Sequence, residues 1–329
     1  MTKLSFLIVD IIINTLQLSV IVCNGFILIL FARQKSLRQS SCGKLVLFLT
    51  TTDFLHAVTT LPYTIYLTSN WNPTYINLSP YYILISSTPL VIQLKINLTI
   101  TIAIAVERTL ALSFPVTFRK LSSRPYAAWC LFLGILLAML DLIVEFSLSP
   151  FKSVPNCAAI GCFISDSFRN YWGISNMLMG IVVIVLISSM LVKLRGLHQN
   201  SQPHDSVKVK GNRFKQANRS SAGILLISLM FVTLPSVGAG VVEIIGFSLF
   251  TTFGPFYIVG LLSSGVCNSV VYLILNKEVQ AVAKNFVTGR KVSTTMAVST
   301  FKAFSTGPRT ITREPHHVQQ KPSTLAKIT

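Results

Sequence analysis

Seven separate stretches of this chain hold enough consecutive apolar residues to cross a bilayer as helix, which takes roughly 20. They fall at about 4–31, 45–67, 83–112, 126–149, 172–192, 221–249 and 253–275. Backbone N–H and C=O groups find no water in hydrocarbon, so each stretch must satisfy its hydrogen bonds within itself. The sequence therefore predicts an all-α membrane protein, a seven-transmembrane helix bundle spanning 1–276. The turn between the last two spans rests on "SLFTTFGP", where Gly254 and Pro255 reverse the chain. The 12% of charged residues is about half the share of a soluble domain.

Charge placement sets the orientation. A formal net charge of +18 would suggest nucleic-acid binding in a soluble protein, but most of these cations sit in short connections and in the tail, which argues against nucleic acid. The first connection holds Arg33, Lys35, Arg38 and Lys44, the third Arg119, Lys120 and Arg124, and the fifth runs from Lys193 to Arg219 with further Lys and Arg. Residues 68–82 and 250–254 carry no charge, and 150–171 has only Lys152, Asp166 and Arg169. The positive-inside bias makes the odd connections cytoplasmic, places the N-terminus outside and the C-terminus in the cytoplasm. The first apolar run is too long for a signal-peptide core and is followed, not preceded, by cations, so it reads as an uncleaved span.

Residues 277–329 form a basic cytoplasmic tail. Val279, Val282, Ala283, Phe286 and Val287 recur at helical spacing beside Lys277 and Lys284, which suits a short amphipathic helix on the lipid of the inner leaflet. A plain extension of the seventh span is the alternative. The rest of the tail reads as largely disordered. Six cysteines without CxxC or Cys/His spacing give no metal site and imply no cofactor. No internal repeat supports an inverted-repeat transporter.

Ionisable residues inside spans cost several kcal/mol unless they face the interior and find partners. Asp53 in the second span and Asn24 in the first sit at similar depth; they read either as packing glue between neighbouring helices or as a polar centre that includes Asn268. Lys95, deep in the third span, needs an acid, and Asp141, Glu145 and Glu243 are the candidates. It reads either as half of a buried ion pair or, with Glu243, as part of an outward-facing pocket. Depth alone adds Tyr63, Tyr66 and Tyr257 to such a ligand pocket. Glu107 and Arg108 follow Lys95 by about 18 to 20 Å of helix, at the cytoplasmic end. Snorkelling explains Arg108 there, but an acid gains nothing from an anionic leaflet, so Glu107 needs a cation.

These residues resemble a family. "ERTLALSFP" at 107–115 is similar to the acid–arginine motif of seven-helix G-protein-coupled receptors, and "CNSVVY" at 267–272 to their Asn-Pro-x-x-Tyr, with Ser269 in place of proline. Asn24, Asp53 and Pro235 fall where that fold carries an Asn, an Asp and a kinking Pro. "VPNCAAIGC", "NYW" and "KQANRSSA" resemble the nematode serpentine chemoreceptors of class bc. The resemblance implies a chemosensory receptor that binds a small-molecule ligand outside and a heterotrimeric G protein inside, with Glu107, Arg108, Asn268 and Tyr272 as its activation switch. It also implies a plasma-membrane location, in sensory cells or cilia. The family's usual disulfide to the third span is impossible because 83–92 lacks cysteine; Cys157 and Cys162 alone are placed outside, so any bond there is local. In "FVTLP", Thr233 and Leu234 stand directly before Pro235, where the usual aromatic is missing.

A seven-span ligand-gated channel, with its N-terminus inside, and a small-solute transporter are the alternatives. Use of the acceptor Asn77-Leu78-Ser79 as a glycosylation site would place that loop outside. An enzyme finds support only in His56 one turn from Asp53, without a nucleophile or metal partner in register.

Overall fold

The computed structural model describes residues 3–34, 37–38, 41–114, 123–199, 208–246 and 256–288, all within one compact unit. The basic pair at 119–120, the 248–255 turn and the tail beyond 288 lie outside them. Among the described residues the regular structure is helical, and seven helices are long and apolar enough to span a membrane. The first is α1, Lys3–Arg33. The second is broken into α2, Ser41–Thr59, and α3, Leu61–Ser69. The third is α4, Pro80–Ser113, the fourth α5, Ser123–Leu148, and the fifth α6, Asp166–Gln199. The sixth runs as α7, Lys208–Ser228, a π turn Leu229–Thr233, and α8, Leu234–Ile244. The seventh is α9, Phe256–Leu275, and α10, Lys277–Val287, follows it.

Local chemistry explains where these helices begin, break and end. Pro62 has no N–H to continue the ladder, and the second span breaks at Thr60, whose hydroxyl donates to the His56 carbonyl at 2.6 Å. Hydropathy starts the fifth span at 172, yet α6 begins at Asp166. There Ser165 accepts the Phe168 N–H at 3.1 Å as an N-cap, and Asp166 sits in the first turn where the helix dipole favours an acid. The sixth span ends at Ile244 rather than near 249, with Gly246 at φ 88° turning the chain. Asn276 caps α10 by accepting the N–H groups of Glu278 and Val279, which separates that helix from α9.

The third span lies at the centre of the bundle. Of its apolar stretch 78% is buried, against 22% to 44% for the other six. Around it α5, α6 and α2 pack directly, while α1 joins α2 to α9 and α8 packs on α6. The outer helices turn Ile8, Ile11, Leu18 and Val22 of α1, or Trp129, Leu133 and Leu136 of α5, away from the core; in a bilayer these are the lipid-facing residues.

Two apolar cores divide the bundle along its length. One contains Tyr272, Ile104 and Ala105 and lies at the end that carries Arg108, hereafter the arginine end. The other contains Tyr63, Leu94, Trp172 and Tyr257 together with the connection between α5 and α6. That connection folds inward: Ala158, Ala159, Ile160, Phe163 and Ile164 are buried, and Cys157 and Cys162 are joined by a disulfide. Asn156, in the left-handed region at φ 61°, donates its N–H to the Ile76 carbonyl at 2.8 Å, holding the connection against the chain before α4.

Candidate functional site

Polar side chains inside the bundle gather at three levels. At the arginine end, Arg108 Nη2 lies 2.8 Å from Glu107 Oε1, with both side chains nearly inaccessible. The neighbouring fourth span packs close through Tyr126, whose hydroxyl donates to the Ala103 carbonyl at 2.9 Å. Lys193 of α6 donates to Ser113 at the last turn of α4. Gln216 of α7 donates to Asn276 at 3.0 Å, linking the sixth span to the joint between α9 and α10. Tyr272 stacks on Phe31 of α1 with centroids 5.8 Å apart, and α10 docks on the same helix through Phe286, with Phe26 at its edge and the Arg33 guanidinium 4.6 Å from its ring.

At mid-depth, Gln93 of α4 donates to Asp53 Oδ1 at 2.7 Å. Asn24 turns instead to α9: it donates to the Gly265 carbonyl at 3.3 Å and accepts the Ser269 hydroxyl at 2.7 Å. Asn24 and Asp53 thus approach the same helix at neighbouring points, Asp53 lying against Gly265, where a Cβ would make ordinary contact with it at 3.5 Å. Asn268 donates to Ser264 and has Asp53 close by. His56 is buried and faces the backbone of Pro89.

At the disulfide end, Lys95 Nζ meets Asp141 Oδ2 at 3.0 Å and donates to Ser175 at 2.9 Å. Tyr171 donates to the other oxygen of Asp141 at 3.0 Å. Glu243 is not brought to Lys95. It lies 3.8 Å from Arg169, which also pairs with Asp166 and donates to the Gly161 carbonyl at 3.2 Å. The α8 and α6 backbones approach closely here: a Cβ on Gly240 would stand 2.7 Å from the Gly173 carbonyl, and one on Gly173 would stand 3.4 Å from Glu243 Cγ.

The tyrosines separate in the same way. Tyr257 is buried edge-on to Trp172 at 5.2 Å, inside the bundle. Tyr63 is fully buried and its hydroxyl faces the backbone of Ile160 in the folded-in connection. Tyr66 lies at the rim, where it accepts the Ser79 N–H at 3.1 Å and packs on Tyr82 at 4.1 Å. Asn77 is exposed beside Ser153, which donates to it at 3.2 Å.

The family model for serpentine type 7TM GPCR chemoreceptors, Srbc, matches residues 2–278. The chain belongs to this family. A comparison with curated proteins finds no match. The receptor is a multi-pass membrane protein, and its family is one of receptors rather than enzymes.

Gln93 and Ser175 of the receptor's interior carry no motif, and in the sequence they are ordinary members of apolar helices, yet they complete the contacts described above. The available signal is a helical one: Trp172 and Asn176 stand one turn apart on the inward face of α6, and Gln93 and Asn97 do so on α4.

Proposed function

We propose that this protein is a chemosensory G-protein-coupled receptor of the plasma membrane, with its disulfide end outside and its arginine end in the cytoplasm. It takes an environmental small molecule from the outside and activates a heterotrimeric G protein from within. The observation that carries this reading is the buried Glu107–Arg108 pair, at 2.8 Å, at the last turns of the central helix. Buried ionised groups of this kind persist only where their charges are matched. Held on Glu107, the guanidinium is withheld from a partner; released, it becomes a cation at the mouth of a basic surface. That is a two-state element whose balance a ligand at the opposite end can bias by binding one state more tightly. Asn268 and Tyr272 of α9 belong to the same switch in this reading, Asn268 through the Asp53 centre and Tyr272 through its stack on Phe31.

The test is Glu107→Gln in cells expressing the full chain. Ligand-independent G-protein signalling should rise, because the neutral amide holds Arg108 less firmly. Unchanged basal signalling at normal surface expression refutes the latch.

A further inference from the structure

The first span, α9 and α10 are fastened together from mid-depth to the arginine end. Asn24 donates to the Gly265 carbonyl at 3.3 Å and accepts the Ser269 hydroxyl at 2.7 Å. Tyr272 stacks on Phe31, and α10 buries Val279 and Ala283 while Phe286 meets Phe26 and Arg33. Asn276 stands at the joint of this assembly, between α9 and α10.

The sixth span meets that joint through α7. A Cβ on Gly223 would stand 2.7 Å from Val271 Cγ1 and 2.9 Å from Leu275 Cδ1, so α7 and α9 pack closely there. Gln216, Ser220 and Gly223 fall at i, i+4 and i+7 on one face of α7, with Ser220 buried and Gln216 half-buried. Where this face reaches the joint, Gln216 Nε2 lies 3.0 Å from Asn276 Oδ1. The direction of the bond is fixed. That oxygen also accepts the N–H groups of Glu278 at 3.1 Å and Val279 at 3.3 Å, so it is the carbonyl end of the Asn276 amide and Gln216 can only donate to it. One oxygen thus caps α10 and holds the sixth span, and the two tasks are separable: without Gln216, the two backbone donors still keep the cap.

We propose that Gln216 is a positioning residue of the receptor. Its bond to Asn276 holds the arginine end of the sixth span against α9 and α10 in the resting state, and breaks when that end of the span is displaced in signalling. The Glu107–Arg108 pair is made within α4, so the Gln216 tie restrains helices that the pair does not join. This gives the Gln216 of "KQANRSSA" a physical task. The inference rests on the receptor reading for its effect on signalling, though not for the tie itself.

The test uses the full chain. Gln216→Met keeps the length of the side chain and removes its donor; Asn276→Ser keeps a good helix cap but is too short to reach Gln216. Each should raise ligand-independent G-protein signalling at equal surface expression by roughly two- to tenfold, the equilibrium factor of one neutral hydrogen bond. The double variant should exceed neither single one, because both remove the same bond. Asn276→Asp, which accepts the same three donors, should not raise it. Without G protein, purified receptor in lipid nanodiscs carries 4-trifluoromethylphenylalanine at Arg219, an exposed position on α7, and Gln216→Met should shift the populations of its ¹⁹F resonances. If Gln216→Met does not reach the surface, Asn276→Ser against Asn276→Asp decides. Unchanged signalling together with unchanged ¹⁹F populations, or a double variant whose effect is the product of the single ones, overturns the tie. A rise with Glu107→Gln but not with Gln216→Met overturns the tie and leaves the receptor reading; shifted ¹⁹F populations in a chain that couples to no G protein support the tie and remove that reading.

Discussion

Replacing Gly260 with alanine tests a close contact between the sixth and seventh spans. Pro235 has no N–H, so the carbonyl four residues earlier, that of Phe231, loses its usual donor. The sixth span responds with a π turn in which the Leu234 N–H reaches back to the Leu229 carbonyl. Gly260 of α9 lies directly on the bared carbonyl: a Cβ there would stand 2.4 Å from Phe231 O. Carbon–oxygen contacts settle at about 3.3 Å or more, so the two helices would have to part by about 1 Å. The obstacle is backbone, and no rotamer change relieves it. Overpacking of this kind costs about 1 to 3 kcal/mol, a factor of roughly 5 to 150 in the folding equilibrium. Gly238, in the same sixth span, has open space around its Cβ direction, so Gly238→Ala should be neutral or stabilise by up to about 1 kcal/mol through helix propensity. The assay is the thermal midpoint of both purified variants in the same nanodiscs. Equal midpoints would refute the argument, since the two substitutions then cost the same in a crowded and an open position.

Two further perturbations follow from the pairing. Lys95→Met strands Asp141, which is 1% exposed, and should destabilise the receptor by about 3 to 5 kcal/mol, whereas Lys95→Met with Asp141→Leu should recover most of the loss. Additive costs in that double-mutant cycle, read by thermal unfolding, would contradict a direct pair. In eukaryotic cells Asn77→Gln should abolish the endoglycosidase-sensitive mobility shift of the full chain; a shift lost with Asn218→Gln instead would reverse the orientation.

Hydropathy made the spans legible because a bilayer demands length and apolarity from each segment separately. It failed at boundaries where a polar first turn is still helical: Asp166, Arg169 and Asn170 lower the apolar signal, yet Ser165 caps that turn as well as it would any soluble helix. The choice among acids for Lys95 was illegible for a different reason. Asp141, Glu145 and Glu243 are all acids of outer helix halves in the sequence, and only the packed bundle assigns Asp141 to Lys95 and Glu243 to Arg169. Ser269 shows the same dependence on packing. Its sequence position suggested a missing proline, but in the bundle its hydroxyl is the partner that fixes Asn24.

The pairings also constrain how the bundle can move. Gln93 and Lys95 are two residues apart on α4 and so project about 200° from each other around its axis. Gln93 is bound to Asp53 of the second span and Lys95 to Asp141 of the fourth. A rotation of α4 in either sense pulls one side chain away from its partner and drives the other past its own. Each contact has a charged member and a net worth of about 1.5 to 3 kcal/mol, and the cost of leaving the group unpaired in the interior adds to it. Between α4 and the sixth span the hydroxyls of Thr101 and Ser228 lie 2.8 Å apart, a neutral contact. A change of state that turns α4 must break the two charged contacts together.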